Sequence, residues 1–596
     1  MPWSLGYRHF GATHEAGRER RRGFMAKSGS GRVAELRLVG RLAARRILAP
    51  AIRTLRLART LFEPAADRLT VAPQDLRTSD PTVADDIYAG IFAFSGQIVE
   101  CRGRSPFDVT APSSEWSRVL HGFGWLRHLR AADTAVARSN ARALVDDWLR
   151  AAEHPPLAWE AEVVARRLLA WLSQAPMILT EADPAFYHRF LAGLTRHFRR
   201  LRTRSGEEPA GLPRLKVAIA VLACAVTVES FRRWVKPAAR RLDEELARQI
   251  LPDGGHVGRN PGTVIEILID LLPLRHVLAA RGLPISPGLM GAIDRMMPMV
   301  RFFRHDDGAI GLFNGASASP TDLIATIFAY DETKSRPHGN APHSGYQRLE
   351  ASGTVVLMDC GGPPPPDVAQ FAHAGSLAFE MSSGHSRFVV NCGAPFRPIG
   401  EWRRLARTTA AHSALIVDDH SSARVVESGL LARLAGPVLL PGPRRLEVER
   451  HEDERGEEGI DVTVTARHDG YARSHGVLHE RGLLLSADGD RLEGHDAILP
   501  AVEGGDDRVP FVVRFHLHPS VRTEDLAGVI RLASPNGETW DFTCAEAAAE
   551  IEPSVHLADA HGLRRAEQIT LTVPADGPRR LSWAFLHTTR SLIPRR

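Results

Sequence analysis

The feature that most constrains the fold is a change of hydrophobic period part-way along the chain. Between residues 116 and about 304, apolar side chains recur at intervals of three and four, the period of helices with one buried face. Over 161–174, for example, Val164, Leu168, Trp171 and Leu172 share a face, whereas Arg166, Arg167 and Gln174 fall elsewhere. Similar segments cover 141–149, 186–198, 215–231, 238–250 and 263–279, with breakers such as Pro155-Pro156, Asp183-Pro184 and the stretch 252–261 between them. After about 341 the texture turns to short runs rich in Val, Leu, Ile and Phe, among them 354–359, 386–391, 413–417, 510–516 and 568–573. Such runs, punctuated by Gly, Pro, Asp and Asn, predict an antiparallel β-sandwich. Helices first and strands later predict an α+β multidomain chain with two separate layers rather than alternating βαβ units. The expected divisions are a basic, partly helical arm over 1–85, a helical domain over 86–335 and a β-sandwich domain over 336–596.

At 596 residues, 44% of them apolar, the chain has enough material for more than one core. Its net charge of +5 is misleading, because residues 1–60 hold 14 Lys or Arg against 3 Glu and no Asp. The remainder is acidic on balance, so no nucleic-acid partner is expected, and an anionic ligand must be met by a local cluster. Arginine recurs too often in the arm to leave the apolar core of an export signal. A basic helix on an anionic membrane surface and a helix packed on the domain both fit the arm. No run of about 20 apolar residues predicts a transmembrane helix. Cys101, Cys224, Cys360, Cys392 and Cys544 are scattered without a CxxC, which implies neither a zinc ribbon nor a disulfide framework. Nucleotide-binding, GxSxG and HExxH signatures are absent.

The chemistry-bearing residues fall in two places. His373 and His412 each precede an apolar strand-like run, which would bring two imidazoles to one sheet, facing a metal or a substrate. The loop LPDGGHVGRNP, 251–261, offers His256, Arg259 and Asn260 between two helices. Asn260 can project an amide into a cleft, yet an Asn before a Pro is equally a helix-cap signal. Asp253 and Asp307 are the acids to inspect for a paired-carboxylate hydrolase. In 468–481, Tyr471 and Arg481 are possible cleft or interface residues. The three histidines of that segment, like His516 and His518, define no metal motif by spacing.

These motifs together resemble the heparinase II/III-like polysaccharide lyases. The family form looks like HxHxDxxSF, a strand ending in D/N-x-G, then T-x-x-H-N/S. Here His373 and Phe379 match, with Ala378 in place of the serine, followed by Asn391 and Gly393, then Thr409, His412 and Ser413. The 251–261 loop is similar to the family's DG-containing loop, and Trp159 and Arg166 sit where its W-plus-R helix is usual. The resemblance implies an incomplete α/α toroid followed by an antiparallel β-sandwich, with a cleft between them. It implies β-elimination on an acidic, uronate-containing poly- or oligosaccharide such as a glycosaminoglycan, in the cell envelope or periplasm, although the arm does not look like an export signal and leaves a cytoplasmic location open. It also implies catalytic roles for Asn260, His256, His373 and His412, and substrate-binding roles for Arg259, Trp159, Arg166, Asn314 and Tyr346. No cofactor is required, but a structural zinc on His373, His412 and Asn391 is implied by some family members.

Four departures stand against the pattern. The first histidine of HxHxD falls on Phe371 and its aspartate on Gly375, while the carboxylate of the metal set is Asn391. The family's late helical tyrosine has no equivalent in 304–316, where His305, Asp306, Asp307 and Asn314 stand instead; Tyr346 is nearby in sequence, at a position that opens the β-domain, where an aromatic is ordinarily core. A non-catalytic glycan-binding or surface-polysaccharide-assembly protein with the same fold is the alternative function.

Overall fold

The computed structural model describes residues 63–331, 337–396, 400–440, 442–454 and 459–589, together with 39, 40, 43, 44, 48, 50 and 54. The rest of the arm, with most of the arginines that suggested a membrane-surface helix, lies outside the described residues.

Helices form where the three-four period ran, including Ala161–Leu179, Pro184–Thr203, Leu212–Thr227, Val235–Gln249, Pro261–Ala280 and Pro287–Phe302. The breakers start helices as well as ending them. Asp183, Asn260 and Ser286 each precede a proline at the first helical position, and each side chain accepts a first-turn backbone N–H, from Phe186, Gly262 and Leu289. Each thereby satisfies a donor that the helix leaves orphaned. Leu212–Thr227 and Pro261–Ala280 are buried almost all round, through Ile219, Leu222 and Val226 in one and Ile265, Leu268 and Leu272 in the other. A helix apolar on every side belongs to the inside of a helical assembly.

The body begins before the expected boundary at 85. Ala66 N–H donates to Thr195 Oγ1 (2.8 Å), Thr70 N–H to the Thr227 carbonyl (2.9 Å), and Arg77 pairs with Asp270 (2.8 Å). A hairpin of Ile91–Phe94 and Gln97–Glu100 follows, which the period analysis did not anticipate. Four-residue strands are too short for a period of two to stand out.

The C-terminal half is the expected antiparallel sandwich. One sheet runs in the order Ala549–His556, Arg564–Val573, Phe511–Leu517, Ser386–Val390, Phe379–Ser383, Thr354–Asp359, Tyr346–Ala351, Asn340–Ala341, with Leu415–Val417 also paired to Phe511–Leu517. The other runs Leu446–Glu454, Ile460–His468, Val477–Leu485, Arg491–Pro500, Arg580–Thr589, Thr539–Cys544, Ile530–Ala533, Arg522–Asp525. Between them Phe379, Phe388, Phe515, Trp540, Phe542, Trp583 and Phe585 fill the core, with the Phe515 and Trp583 rings edge-on at 4.9 Å.

The two halves share a seam. The helical core continues through Ile310 and Phe313 into Tyr346, Val355 and Leu357 of the first sheet. Arg259, at φ +62°, reaches from the 251–261 loop to the carbonyls of Ser344 (2.8 Å), Gly362 (2.8 Å) and Gly345 (3.2 Å) and to the Asp359 carboxylate.

Candidate active site

A cleft of about 550 Å³ opens along this seam. Its helical wall carries Lys216, His256, Asn260 and Glu266; its sandwich wall carries Phe371, His373, Arg403 and Arg407; Asn314 and Gly315 lie between.

Asn260 caps the helix with one end of its amide and leaves the other end at the cleft. Oδ1 accepts the Gly262 N–H (2.8 Å) as the helix cap, which fixes Nδ2 as the other end of the amide. Nδ2 has no hydrogen-bond partner among the described residues, and it and His373 Nε2 both border the space over Gly315. A Cβ built on Gly315 would lie 3.5 Å from the first nitrogen and 3.6 Å from the second. Gly315 is required there, because its φ is +87° and the same Cβ would stand 2.7 Å from the Phe371 carbonyl.

The protons of the histidine pair follow from their partners. His412 Nδ1 lies 2.7 Å from the Thr408 carbonyl, which only accepts, so that nitrogen carries hydrogen and Nε2 does not. His373 Nδ1, 3.2 Å from His412 Nε2, therefore donates. His373 Nε2 is left with a lone pair, directed at the space over Gly315. Both rings stay neutral near pH 7: burial, then His412 and Arg407, holds His373 well below the usual imidazole range, and burial brings His412 down to about 4.

The segments bearing these rings are held from behind by Arg481, fully buried between the sheets. It donates to the carbonyls of Leu377 (2.8 Å) and Ser413 (2.6 Å), just beyond the two histidines, and bidentately to Asp496 (2.9 Å each). Asp496 also accepts from His479 (2.8 Å) and Trp583 (3.0 Å). Arg407 holds the 369–373 segment through the Ala372 (2.9 Å) and Ala369 (3.2 Å) carbonyls.

Other sequence-based candidates are placed differently from expectation. His256 lines the cleft, but Nδ1 accepts the Gly258 N–H (3.0 Å) and Nε2 donates to Gln249 (3.3 Å), so both ring nitrogens are committed to its own loop and the end of the preceding helix. Arg259 is spent on the seam. Asn314, at φ +48°, lines the cleft, yet its Nδ2 donates to Tyr346 (2.8 Å) and Asp359 (3.0 Å) and its Oδ1 accepts the His373 N–H (3.3 Å). It positions His373. Tyr346 is 1% exposed and donates to the Arg259 carbonyl (2.6 Å); burial pushes its hydroxyl above the ordinary phenol range, and it does not line the cleft. Trp159 belongs to an aromatic cluster with Trp148 and His197 under Arg196 and Arg200. Arg166 faces Asp270 (3.9 Å) beside a separate cavity of about 30 Å³. Neither lines the cleft. Asp253 accepts from Ser344 N–H (2.7 Å) and Asp307 pairs with Arg387 (2.7 Å), so both acids are structural.

The zinc set does not fit. Asn391 Oδ1 accepts the Ser413 N–H (3.0 Å) and its Nδ2 donates to Glu380 (3.1 Å). No His, Cys, Asp or Glu among the described residues joins the pair at ligand distance, whereas zinc takes four ligands. Gly375, where the family's aspartate was expected, faces the His412 ring: a Cβ there would lie 2.7 Å from Cδ2.

Charge is distributed unevenly. On the helical wall Lys216 lies between Glu162 (2.7 Å) and Glu266 (2.9 Å), and Arg118 pairs with Glu160 (2.8 Å). On the sandwich wall Arg403 stacks over Phe371 at 5.1 Å without an ion pair among the described residues. Phe371 and Phe396 are 54% and 55% exposed at the cleft, two apolar faces of the kind that sugar rings pack against.

Residues 333–584 match the family model described as Heparinase II/III-like, C-terminal. FtsZ-localized protein C of Caulobacter vibrioides (strain NA1000 / CB15N) is 33% identical over 520 residues, 85% of this chain and 88% of that protein. The chain belongs to the heparinase II/III-like family. The likeness extends to solved folds of heparinase III (TM-score 0.68, 13% identity, 94% of this chain and 92% of that one) and heparan sulfate lyase HepC from Pedobacter heparinus (TM-score 0.58, 14%, 95% and 92%). Relative to the heparinase II/III-like pattern, this chain carries an exposed aromatic at Phe371 in place of a histidine and a direct histidine–histidine contact next to Gly375. The sequence had marked both positions as departures. It missed Arg403, Arg407 and Phe396 as cleft residues, and the cluster of arginines at 403, 404 and 407 just before the His412 motif was the available signal.

Proposed function

We propose that this protein cleaves an acidic, uronate-bearing glycan by β-elimination, with Asn260 on the uronate carboxylate and His373 as the proton-transfer group. The observation that supports it is that the lone pair of His373 Nε2 and the unpartnered amide of Asn260 border the same space over Gly315. As the C5–H bond breaks, His373 Nε2 takes the proton and the Asn260 N–H stabilises the enolate-like charge on the carboxylate. The electron pair forms the C4=C5 double bond as the C4–O4 bond breaks, and the leaving O4 takes the proton back from His373. His412 and Asn314 position the base; Arg403 and Arg407 supply positive charge, and Phe371 and Phe396 pack against sugar rings. A bound carboxylate would raise the depressed basicity of His373, opposing the effect of burial and Arg407. An envelope location, where acidic glycans are met, goes with this reading. No described helix is long and apolar enough to cross a membrane.

The test is ultraviolet absorbance of the unsaturated uronate during incubation with a panel of uronate polysaccharides. Growth in absorbance that is lost in His373→Ala and in Asn260→Asp supports elimination. A second reading, glycan binding without cleavage, is favoured by the lack of a tyrosine among the cleft-lining residues and by a relative whose name states a location rather than a reaction. Binding with no absorbance change would select it, and new reducing ends without absorbance would indicate hydrolysis instead.

A further inference from the structure

We propose a divalent transition-metal site, separate from the cleft, formed by Asp418, His420 and His475. One ligand atom from each lies within 4.8 Å of the others; His475 Nε2 is 3.6 Å from Asp418 Oδ2, and the two imidazole centroids are 5.0 Å apart. Two imidazoles and a carboxylate form a donor set suited to zinc and neighbouring first-row cations, with the remaining positions open to water.

The ligands are prepared for this from behind. His475 Nδ1 meets Ser474 Oγ (2.8 Å), leaving Nε2 towards Asp418, while His420 Nδ1 donates to the Asp418 carbonyl (2.5 Å) and lies 3.8 Å from its Oδ2, so that Nε2 is the nitrogen with a free lone pair and turns to the site by rotation of the exposed ring. Outer partners of this kind set the tautomer and ring orientation of metal-binding histidines. The backbone is also unusual. Asp418 and Asp419 have φ of +47° and +58°, and the His420 N–H closes the turn on the Val417 carbonyl (2.8 Å). Positive φ at both central residues is a type I′ turn, ordinarily an Asn-Gly preference, yet here two aspartates occupy it.

Both halves of the site are tied to the Leu415–Val417 strand. Asp418 N–H donates to the Pro510 carbonyl (2.9 Å), Tyr471 Oη donates to the Leu415 carbonyl (2.9 Å), and His475 N–H returns to the Tyr471 carbonyl (2.9 Å). The side chain of His475 is only 10% exposed, against 56% for Asp418 and 64% for His420. Zinc holds such ligands at about 2.0–2.2 Å, so closure on one ion requires only rotation of the two exposed side chains against a fixed third. The ion would cross-link the 417–420 turn to the 471–475 loop.

Calorimetric titration of the chelator-treated full chain with ZnCl₂, accompanied by thermal unfolding, tests this. The expected result is one equivalent bound with a rise in Tm, at least tenfold weaker binding and no such rise in His475→Ala and Asp418→Asn, and unchanged binding in His412→Ala. Asp418 is exposed, so Asp418→Asn carries the test should His475→Ala fail to fold. No zinc uptake by the wild type, equal uptake by Asp418→Asn, or loss in His412→Ala, which would put the ion on the cleft histidines, each overturns the proposal.

Discussion

The two walls of the cleft differ in what they have left to offer a ligand. On the helical wall the charges are already answered: Lys216 by Glu162 and Glu266, Arg118 by Glu160. An anion arriving there would have to compete with two carboxylates. The sandwich wall presents Arg403 without an ion pair among the described residues, Arg407 bonded only to carbonyls, and a neutral histidine with a free lone pair. On the proposed mechanism the helical wall therefore contributes geometry and one amide, whereas attraction and proton transfer fall to the sandwich wall.

The largest expected effect comes from removing what supports the sandwich wall. Arg481→Ala leaves Asp496 buried without its guanidinium and should lower the unfolding free energy by about 3–5 kcal/mol in urea titrations; a loss under 1 kcal/mol would mean the wall stands without it. Asn260→Asp is next and separates the two roles of that residue. Aspartate still caps the helix, so stability should hold within a few tenths of a kcal/mol, while on the proposed mechanism turnover should fall about 10²–10³-fold, because a donor meant for the substrate carboxylate has become a like charge.

Acid should act through His412. Its folded pKa is lowered to about 4 by burial, so the unfolded chain binds a proton near pH 6.5 that the folded chain refuses. Its contribution to stability is complete above about 6.5 and is lost as pH falls towards 4, at about 1.4 kcal/mol per pH unit. Urea midpoints for wild type and His412→Asn between pH 7 and 5 should converge in stability as the pH drops; parallel curves would place the proton elsewhere. The smallest effect should be Lys216→Ala, within about 1 kcal/mol of stability and with little change in glycan affinity. Arg403→Ala should instead weaken affinity and flatten its salt dependence. The reverse order would break the division between the walls.

The architecture could be read from the sequence because burial imposes its period on every helix and strand. The positions of Asn260 and His373 along the cleft are legible too, since a cap signal and a strand-leading histidine are local patterns. The errors concern partners distant in sequence. Arg259 looked like a free cation because its acceptors lie at Ser344, Gly345, Asp359 and Gly362. Trp159 and Arg166 were transferred by resemblance to a helix whose chemistry here faces an aromatic cluster and an acid away from the cleft. His256 gave no warning that both ring nitrogens would be occupied, because Gly258 and Gln249, the last residue of the preceding helix, approach it only once the loop has folded back.

The grip of Arg259 on the neighbouring half has a mechanical consequence. Hinging the halves apart would strip three carbonyls and a carboxylate from one buried guanidinium at once, leaving a cation without its acceptors. The width of the slot is thus set as the chain folds, and on the proposed reading a glycan would enter and leave it without the halves moving apart.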